Sequence, residues 1–160
     1  MEAVATKNVV DEGKYLTFVL SKEEYGIEIL KVREIIGLMD ITTVPQTPDY
    51  MKGVINLRGK VIPVIDQRLK FSMEEAEYTQ ETCVIVVEVS KSLIGIIVDN
   101  VSEVLNIKGE EIEEAPQFGQ EIDTSFIMGL GKTKGKIIIL LDIEKVLSSE
   151  ELKMVEQIAA

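Results

Sequence analysis

Two aspartates, Asp66 and Asp142, close similar strands in the two halves of this 160-residue chain and are the first candidates for chemistry. A pair of carboxylates can serve as general acid and base if the two face each other across a cleft of about 5 to 10 Å. An Asp at a strand end also commonly accepts hydrogen bonds from the turn that follows it. The repetition favours this structural role, and a carboxylate-based hydrolase is the alternative from a different functional class.

Other catalytic and metal sites find little support. The chain has no histidine, which removes the usual general base near neutral pH, the commonest transition-metal ligand and every Ser-His or Cys-His nucleophile. Gly131-Lys132-Thr133 resembles the end of a phosphate-binding loop, but Phe126 stands where that loop needs its first glycine, and a strand follows where it needs a helix. The sequence therefore predicts no enzyme, no cofactor and no metal site.

Charge and composition favour a protein partner. The formal net charge of −11 disfavours nucleic acids and anionic membranes, which select clustered Lys and Arg. No run approaches the ~20 apolar residues of a membrane helix, and the first residues lack a signal-peptide pattern. The lone cysteine, Cys83, opens an apolar run, where a buried side chain is expected. We expect a cytoplasmic protein.

The chain contains an internal duplication. Residues 53–66 and 129–142 share the order of glycine, Gly-Lys turn, apolar run and closing Asp, with every position 76 residues apart. Upstream, residues 15–27 and 84–96 correspond at an offset of 69, so the second copy carries a loop that is seven residues longer. Matching order with one insertion is the signature of a duplicated unit, here of about 50 to 60 residues.

The duplicated unit predicts a mainly β protein built of two small β-barrels. Its strands are runs of Val and Ile between Gly, Pro and Asn, as expected where a sheet is covered on both faces. We predict barrel unit one over about residues 15–80 and barrel unit two over about 81–142, within one domain over 14–147 that has a shared seam. Residues 1–13 are polar and are expected to be mobile.

Helices should be few. Thr47 and Pro48 predict a short helical turn over 47–52, with Thr47 as the cap. Ser148 and Glu151 have the spacing of a capping box. Apolar residues follow at helical intervals: Leu152, Val155 and Ile158. These features predict a C-terminal helix over 148–160 that packs against a barrel.

Two loop residues suit contacts with a partner. Arg58 lies in the turn before a strand, where the second copy has Lys134. Its planar guanidinium can stack on a partner or bind a carboxylate through two hydrogen bonds, which a lysine cannot do. Phe118 stands between Pro and Gly in the second unit. Each also has a structural explanation: a solvated turn charge for Arg58, and a pin that holds its loop on the core for Phe118.

An apolar stripe follows Gly26 and recurs after Gly95. In each copy three residues are spaced by three and then four positions: Ile29, Val32 and Ile36, and then Val98, Val101 and Leu105. This spacing suggests a helical turn or an irregular strand entry, so the side chains could line a groove between the barrels that accepts an amphipathic helix. Glu34 would lie at its rim. The alternative is that all six fill the core between the barrels.

Two stretches resemble the signatures of the CheW-type coupling proteins of bacterial chemotaxis. Residues 24–35, EYGIEILKVREI, resemble the first signature, and residues 52–68, KGVINLRGKVIPVIDQR, resemble the second. Residues 95–105 are similar to the family's second-barrel segment, and the resemblance extends from about Tyr15 to Leu152. One departure is Gln67, where the family usually has Leu.

The resemblance implies two intertwined, five-stranded SH3-like barrels and a non-catalytic adaptor. The implied partners are the regulatory domain of the histidine kinase CheA and the cytoplasmic tip of chemoreceptors, the methyl-accepting chemotaxis proteins. We predict that Phe118 binds the kinase. Six residues are predicted to bind the receptor: Ile29, Val32, Glu34, Arg58, Val98 and Val101. A coupling domain of a motility or developmental pathway is the alternative within the family.

Overall fold

The computed structural model describes residues 13–114 and 125–159. Its strands are β1 Gly13–Leu20, β2 Glu23–Glu28, β3 Val32–Gly37, β4 Met51–Leu57, β5 Lys60–Asp66, β6 Cys83–Val89, β7 Ser92–Val98, β8 Asn100–Ile107, β9 Ile112–Glu113, β10 Ile127–Thr133 and β11 Lys136–Leu141. Within this part of the chain the helices are Gln67–Lys70 and Ser149–Ala159, and 3-10 turns lie at Ile29–Lys31, Gly109–Glu111 and Ile143–Lys145. The protein is mostly β with a C-terminal helix, as the sequence predicts.

The strands form two sheets, and each sheet takes strands from both sequence repeats. Sheet one has the order β8-β1-β2-β11-β10-β9, and sheet two has the order β3-β6-β7-β5-β4. The β1–β2 hairpin of the first repeat thus joins the last strands of the chain, while the β6–β7 hairpin of the second repeat joins β3, β4 and β5. Each exchanged hairpin ends in a parallel pair, β2 with β11 and β7 with β5. The two repeats are therefore intertwined.

The backbone geometry repeats at the offsets read from the sequence. The turns that begin at Ser21 and Ser90 each contain two residues with φ between 48° and 75°. The turns at Arg58 and Lys134 also have positive φ, and each is completed by a glycine with positive φ. Two consecutive positive φ values mark the type I′ turn, whose twist matches that of paired strands. These four hairpins confirm the duplication.

Alternating side chains divide the core into three clusters. In β6, Val84 faces the core of sheet two, and the next residue, Ile85, faces the other sheet. Sheet one encloses a cluster of its own: Tyr15, Leu105, Ile107, Ile138 and Leu140. The largest cluster lies between the sheets and includes Phe18, Ile27 and Ile96; we call it the seam. Each fully buried aliphatic side chain contributes about 1.5–3 kcal/mol, so the seam is a major source of stability.

The C-terminal helix begins with the predicted capping box. Ser148 Oγ accepts a hydrogen bond from Glu151 N at 3.1 Å, and Glu151 Oε1 accepts one from Ser148 N at 2.8 Å. Val155 is buried in the seam, which confirms that the helix packs back on the sheets. The helical turn predicted at 47–52 is shorter than expected and does not form a helix. Met51 N donates to Pro48 O at 3.0 Å and closes a single turn, because β4 already pairs with β5 from Met51 onward.

Candidate docking site

Arg58 and Glu34 form the charged part of the candidate docking site. Arg58 occupies the turn between β4 and β5, and Asn56 Oδ1 supports that turn by accepting a hydrogen bond from Gly59 N at 2.8 Å. Glu34 lies on β3, at the opposite edge of sheet two. The curl of the sheet brings the two side chains together. Both terminal nitrogens of Arg58 donate to the Glu34 carboxylate, Nη1 at 3.2 Å and Nη2 at a shorter distance.

This two-hydrogen-bond fork lies on an open surface, with 69% of the Arg58 side chain exposed. The hydrogen bond from Arg58 lowers the pKa of Glu34, and the same bond raises the pKa of Arg58. Both groups are therefore charged at neutral pH, and the guanidinium keeps an open face for a partner. Sequence reasoning selected these residues for separate reasons, and the structure brings them together.

The second repeat places a looser contact at the equivalent position. Lys134 and Glu103 are the counterparts of Arg58 and Glu34 at offsets of 76 and 69. Their closest contact, from Nζ to Oε1, is 3.9 Å. A single long contact between exposed groups lacks the geometry of the Arg58–Glu34 fork, and such pairs contribute only about 0–1 kcal/mol. The exchange of Arg for Lys therefore distinguishes two equivalent surfaces of the molecule.

The predicted apolar stripe divides between surface and core. Ile29, Val32 and Val101 are half-buried and pack against the seam. Val98 is 1% exposed and is part of the seam itself. The structure does not bring Val98 to the docking surface, because both faces of β7 are covered: Val98 packs in the seam, and its neighbour Ile97 packs in the core of sheet two. The other two members of the stripe pack in the cores of sheets two and one: Ile36 and Leu105.

Sequence reasoning missed four exposed apolar residues that repeat with the duplication. Ile35 and Val104 are exposed at positions 69 residues apart, and Val61 and Ile137 are exposed at positions 76 residues apart. In each case the next residue along the strand packs in a core: Ile36, Leu105, Ile62 and Ile138. The repeat offsets, applied to outward-facing strand positions, would have found them. Val61 lies near the start of β5, three residues after Arg58.

Charged contacts fasten each point where the chain passes from one sheet to the other. At the β7–β8 crossover, Arg68 donates two hydrogen bonds to Asp99, from Nε at 2.7 Å and from Nη2 at 2.6 Å. Ser21 N donates to the same carboxylate at 2.9 Å. At the β2–β3 crossover, Lys31 Nζ lies 3.0 Å from Glu144 Oε2. We call these contacts the Arg68–Asp99 clasp and the Lys31–Glu144 clasp.

Comparison with known proteins decides the family. The model of the CheW-like domain matches residues 14–151. The chain belongs to the CheW-like family. It is 46% identical to the chemotaxis protein CheW of Klebsiella aerogenes, over 91% of this chain and 88% of that protein. It is 34% identical to the chemotaxis protein CheW of Bacillus subtilis, over 91% of this chain and 93% of that protein.

A solved structure in the CheW-like family has the same fold. The crystal structure of the scaffolding protein TtCheW from Thermoanaerobacter tengcongensis has a TM-score of 0.79 to this chain and is 36% identical to it. The match covers 88% of this chain and 95% of that one. The arrangement of two sheets with a C-terminal helix is therefore shared with this relative.

Within the CheW-like fold, Asp66 and Asp142 each serve a local turn. Asp66 is buried and accepts hydrogen bonds from Leu69 N at 3.2 Å and from the Tyr78 hydroxyl at 2.7 Å. Burial, and then the bond to Asp66, raise the pKa of Tyr78, so its hydroxyl stays protonated and donates. Asp142 accepts from Glu144 N at 3.0 Å. These contacts are the structural role that the sequence favoured.

Other predictions concern chemistry away from the fork. Among residues 13–114 and 125–159, no cluster of three or more His, Cys, Asp or Glu is arranged to hold a metal. Cys83 is half-buried, and its thiol donates to Glu81 O at 3.2 Å.

Phe118 lies outside the described residues, and its role in kinase binding stays a prediction. None of the helices in the described part of the chain is long and apolar enough to cross a membrane.

Proposed function

We propose that this chain is a non-catalytic cytoplasmic adaptor that couples chemoreceptors to the chemotaxis histidine kinase CheA. Membership of the CheW-like family supports the proposal, because relatives bear the name chemotaxis protein CheW and a solved one is described as a scaffolding protein. The observation in this chain that carries it is the Arg58–Glu34 fork, an exposed charged pair joined by two hydrogen bonds. The turn-capping contacts of Asp66 and Asp142 give no support to the hydrolase alternative.

The receptor would bind at the fork and the half-buried apolar residues of the seam. Val32 lies on the same strand as Glu34, two residues away, and Ile29 precedes it at the β2–β3 crossover. Apolar anchors of an amphipathic receptor helix would pack against Val32 and its neighbours, with Arg58 and Glu34 forming the polar rim. Val101 belongs to this proposed site and Val98 does not, because Val98 is buried.

Arg58→Lys tests the fork directly. The substitution keeps the charge and loses the two-hydrogen-bond geometry. In arrays reconstituted from receptor, kinase and this protein, we expect a folded variant with at least a several-fold loss of receptor control over kinase activity. The matched control is Lys134→Arg, which changes the equivalent turn of the second repeat and should leave control intact. Wild-type control by Arg58→Lys would remove Arg58 from the site.

Val32→Glu separates a docking role from a core role. At a surface, the carboxylate should weaken receptor binding by about 1–3 kcal/mol and leave the melting temperature nearly unchanged. In a closed core, the same unpaired charge would destabilise the fold and lower the melting temperature by roughly ten degrees. Thermal melts and receptor titration of this one variant distinguish the two, and the second result would exclude Val32 from the site.

The kinase contact is tested separately at Phe118. Loss of a buried aromatic anchor worth about 2 kcal/mol weakens binding roughly thirtyfold. We expect that loss for Phe118→Ala in calorimetry with the regulatory domain of CheA, and unchanged affinity would refute the assignment. Capture of the cognate kinase and receptor by the wild-type protein addresses the pathway. Partners from a motility or developmental system would favour the alternative within the family.

A further inference from the structure

Gln67 is a fully buried amide without a hydrogen-bond partner in the described part of the chain. Its side chain is 0% exposed, and neither Oε1 nor Nε2 meets a donor or acceptor there. Proteins rarely leave such a group unsatisfied, because desolvating an amide without replacing its hydrogen bonds is costly. Ordered water is the usual partner when the protein supplies none.

Gln67 borders a small cavity in the seam. About 10 Å³ of this cavity is open to water-sized spheres, which is close to the minimum that holds one water molecule and too small for an organic ligand. Every other lining side chain is aliphatic. Among the residues that the structure describes, Gln67 is therefore the only polar residue that lines this space.

The two repeats place different residue types at the position of Gln67. Ile143 is the counterpart of Gln67 at the offset of 76, and it lines the same cavity. Each residue opens the turn that follows a strand-closing aspartate, Asp66 or Asp142. The cavity thus lies between equivalent turns of the two repeats, one of which contributes an amide and the other an aliphatic side chain.

Backbone groups of residues 143–147, on the other side of the cavity, can supply further hydrogen-bond partners for a water molecule. Ile143, Val146 and Leu147 line the cavity and belong to or directly follow the 3-10 turn Ile143–Lys145. The last carbonyls of a short helical turn lack donors within the turn. A water molecule needs two to four polar partners, and the Gln67 amide offers both a donor and an acceptor.

We propose that Gln67 binds one internal water molecule in the seam, with backbone groups of residues 143–147 as the further ligands. The water connects the first repeat to the second through hydrogen bonds at a point where the rest of the seam is held by apolar packing. This inference is independent of the proposed function, since it concerns the inside of the adaptor and none of its partners.

Water–protein NMR on the whole protein tests the site. In the wild type, the side-chain amide protons of Gln67 should show a cross-peak to water with the opposite NOE and ROE signs of a long-lived internal molecule. The exposed Gln80 serves as control in the same spectrum and should show only rapid exchange with solvent. In Gln67→Leu, peaks from water to methyl groups around the cavity should disappear.

Two results would overturn the proposal. Absence of a long-lived water peak at Gln67 in the wild type would show that the amide is dry, and this measurement requires no variant to fold. Persistence of the water signal at Ile143 in Gln67→Leu would show that other groups hold the molecule. Gln67→Asn is the companion variant: it retains the amide and should keep the water if Gln67→Leu proves unstable.

Discussion

The two clasps stand at equivalent crossovers, yet their charges are reversed. Arg68, on the short helix after β5, binds Asp99 on the crossover. At the other crossover the counterpart of Arg68 is Glu144, and the crossover residue that binds it is Lys31. The Arg68 and Asp99 side chains are 18% and 29% exposed, whereas Lys31 and Glu144 are both 36% exposed. The counterpart of Asp99 is Leu30, which is 90% exposed.

The two repeats share the position of the contact but not its chemistry. Each crossover has an ion pair between the two sheets, while the sign and the type of the charged residues differ. Burial and the planar guanidinium make one contact strong, while exposure makes the other weak. The Arg58–Glu34 fork and the Lys134–Glu103 contact differ in geometry and not in burial of the cation, since the Arg58 and Lys134 side chains are 69% and 61% exposed. In both comparisons the first repeat supplies the arginine, and the contact with the arginine has two hydrogen bonds to one carboxylate.

The largest expected asymmetry concerns the glycines that follow the β4 and β10 bulges. A Cβ on Gly53, whose φ is +144°, would lie 2.0 Å from Thr42 O, whereas a Cβ on Gly129 would lie 2.9 Å from Glu113 O. The first clash forces the neighbouring backbone to move. We expect Gly53→Ala to lower the free energy of unfolding by about 3–5 kcal/mol and Gly129→Ala by about 1–2 kcal/mol. Urea denaturation measures both, and equal losses would contradict the asymmetry.

Asp99→Asn should produce the next largest effect. The variant keeps the shape of the side chain but leaves the half-buried Arg68 guanidinium without its anion. The contact lies between a surface pair and a fully buried pair, so we expect a loss of about 2–3 kcal/mol. For a chain of this size that corresponds to a melting temperature lower by roughly 4–10 °C. A shift below about 2 °C would show that this clasp is no stronger than a surface pair.

Much of this fold follows from local patterns in the sequence. The duplication, the β character and the capped C-terminal helix rest on signals a few residues long, and the structure confirms them. The exchange of hairpins between repeats does not follow from such signals, because a hairpin's turn residues do not specify which sheet it joins. The turn at Pro48 shows the same limit, since tertiary pairing of β4 overrode a helical start signal.

The candidate site was predictable in its residues but not in its arrangement. Glu34 and Arg58 are 24 positions apart, and only the curl of sheet two brings them into contact. Val98 was assigned to the surface because its spacing matched that of Ile29, but periodicity cannot tell whether a strand is covered on both faces. Gln67 was visible as a departure from the family, and its burial in an apolar cavity appears only in three dimensions.

The pH dependence of stability should report on the Arg68–Asp99 clasp. Burial alone would raise the pKa of Asp99, but the hydrogen bonds from Arg68 and Ser21 outweigh it and lower that pKa below the ordinary value of 3.8. A carboxyl whose pKa is lower in the folded state stabilises the fold above its unfolded pKa, and this contribution is lost as the pH falls through the folded pKa. We expect the melting temperatures of wild type and Asp99→Asn to differ at pH 7 and to converge as the pH falls through the lowered pKa of folded Asp99. A constant difference would assign the effect to packing.

The smallest expected effect is at the Lys31–Glu144 clasp, and it sharpens the comparison most. Both partners are partly solvated, and the additional contact from Ser90 Oγ to Glu144 is long, at 3.5 Å. Such pairs contribute about 0–1 kcal/mol and weaken as salt screens them. A double-mutant cycle of Lys31→Ala and Glu144→Gln should therefore give a coupling energy below about 1 kcal/mol that falls in high salt. The cycle of Arg68→Ala and Asp99→Asn should give a larger coupling that salt changes less, because its groups are less accessible to ions. Equal couplings with equal salt dependence would mean that charge reversal and exposure do not matter at these crossovers, and that the two repeats fasten the sheets equally well.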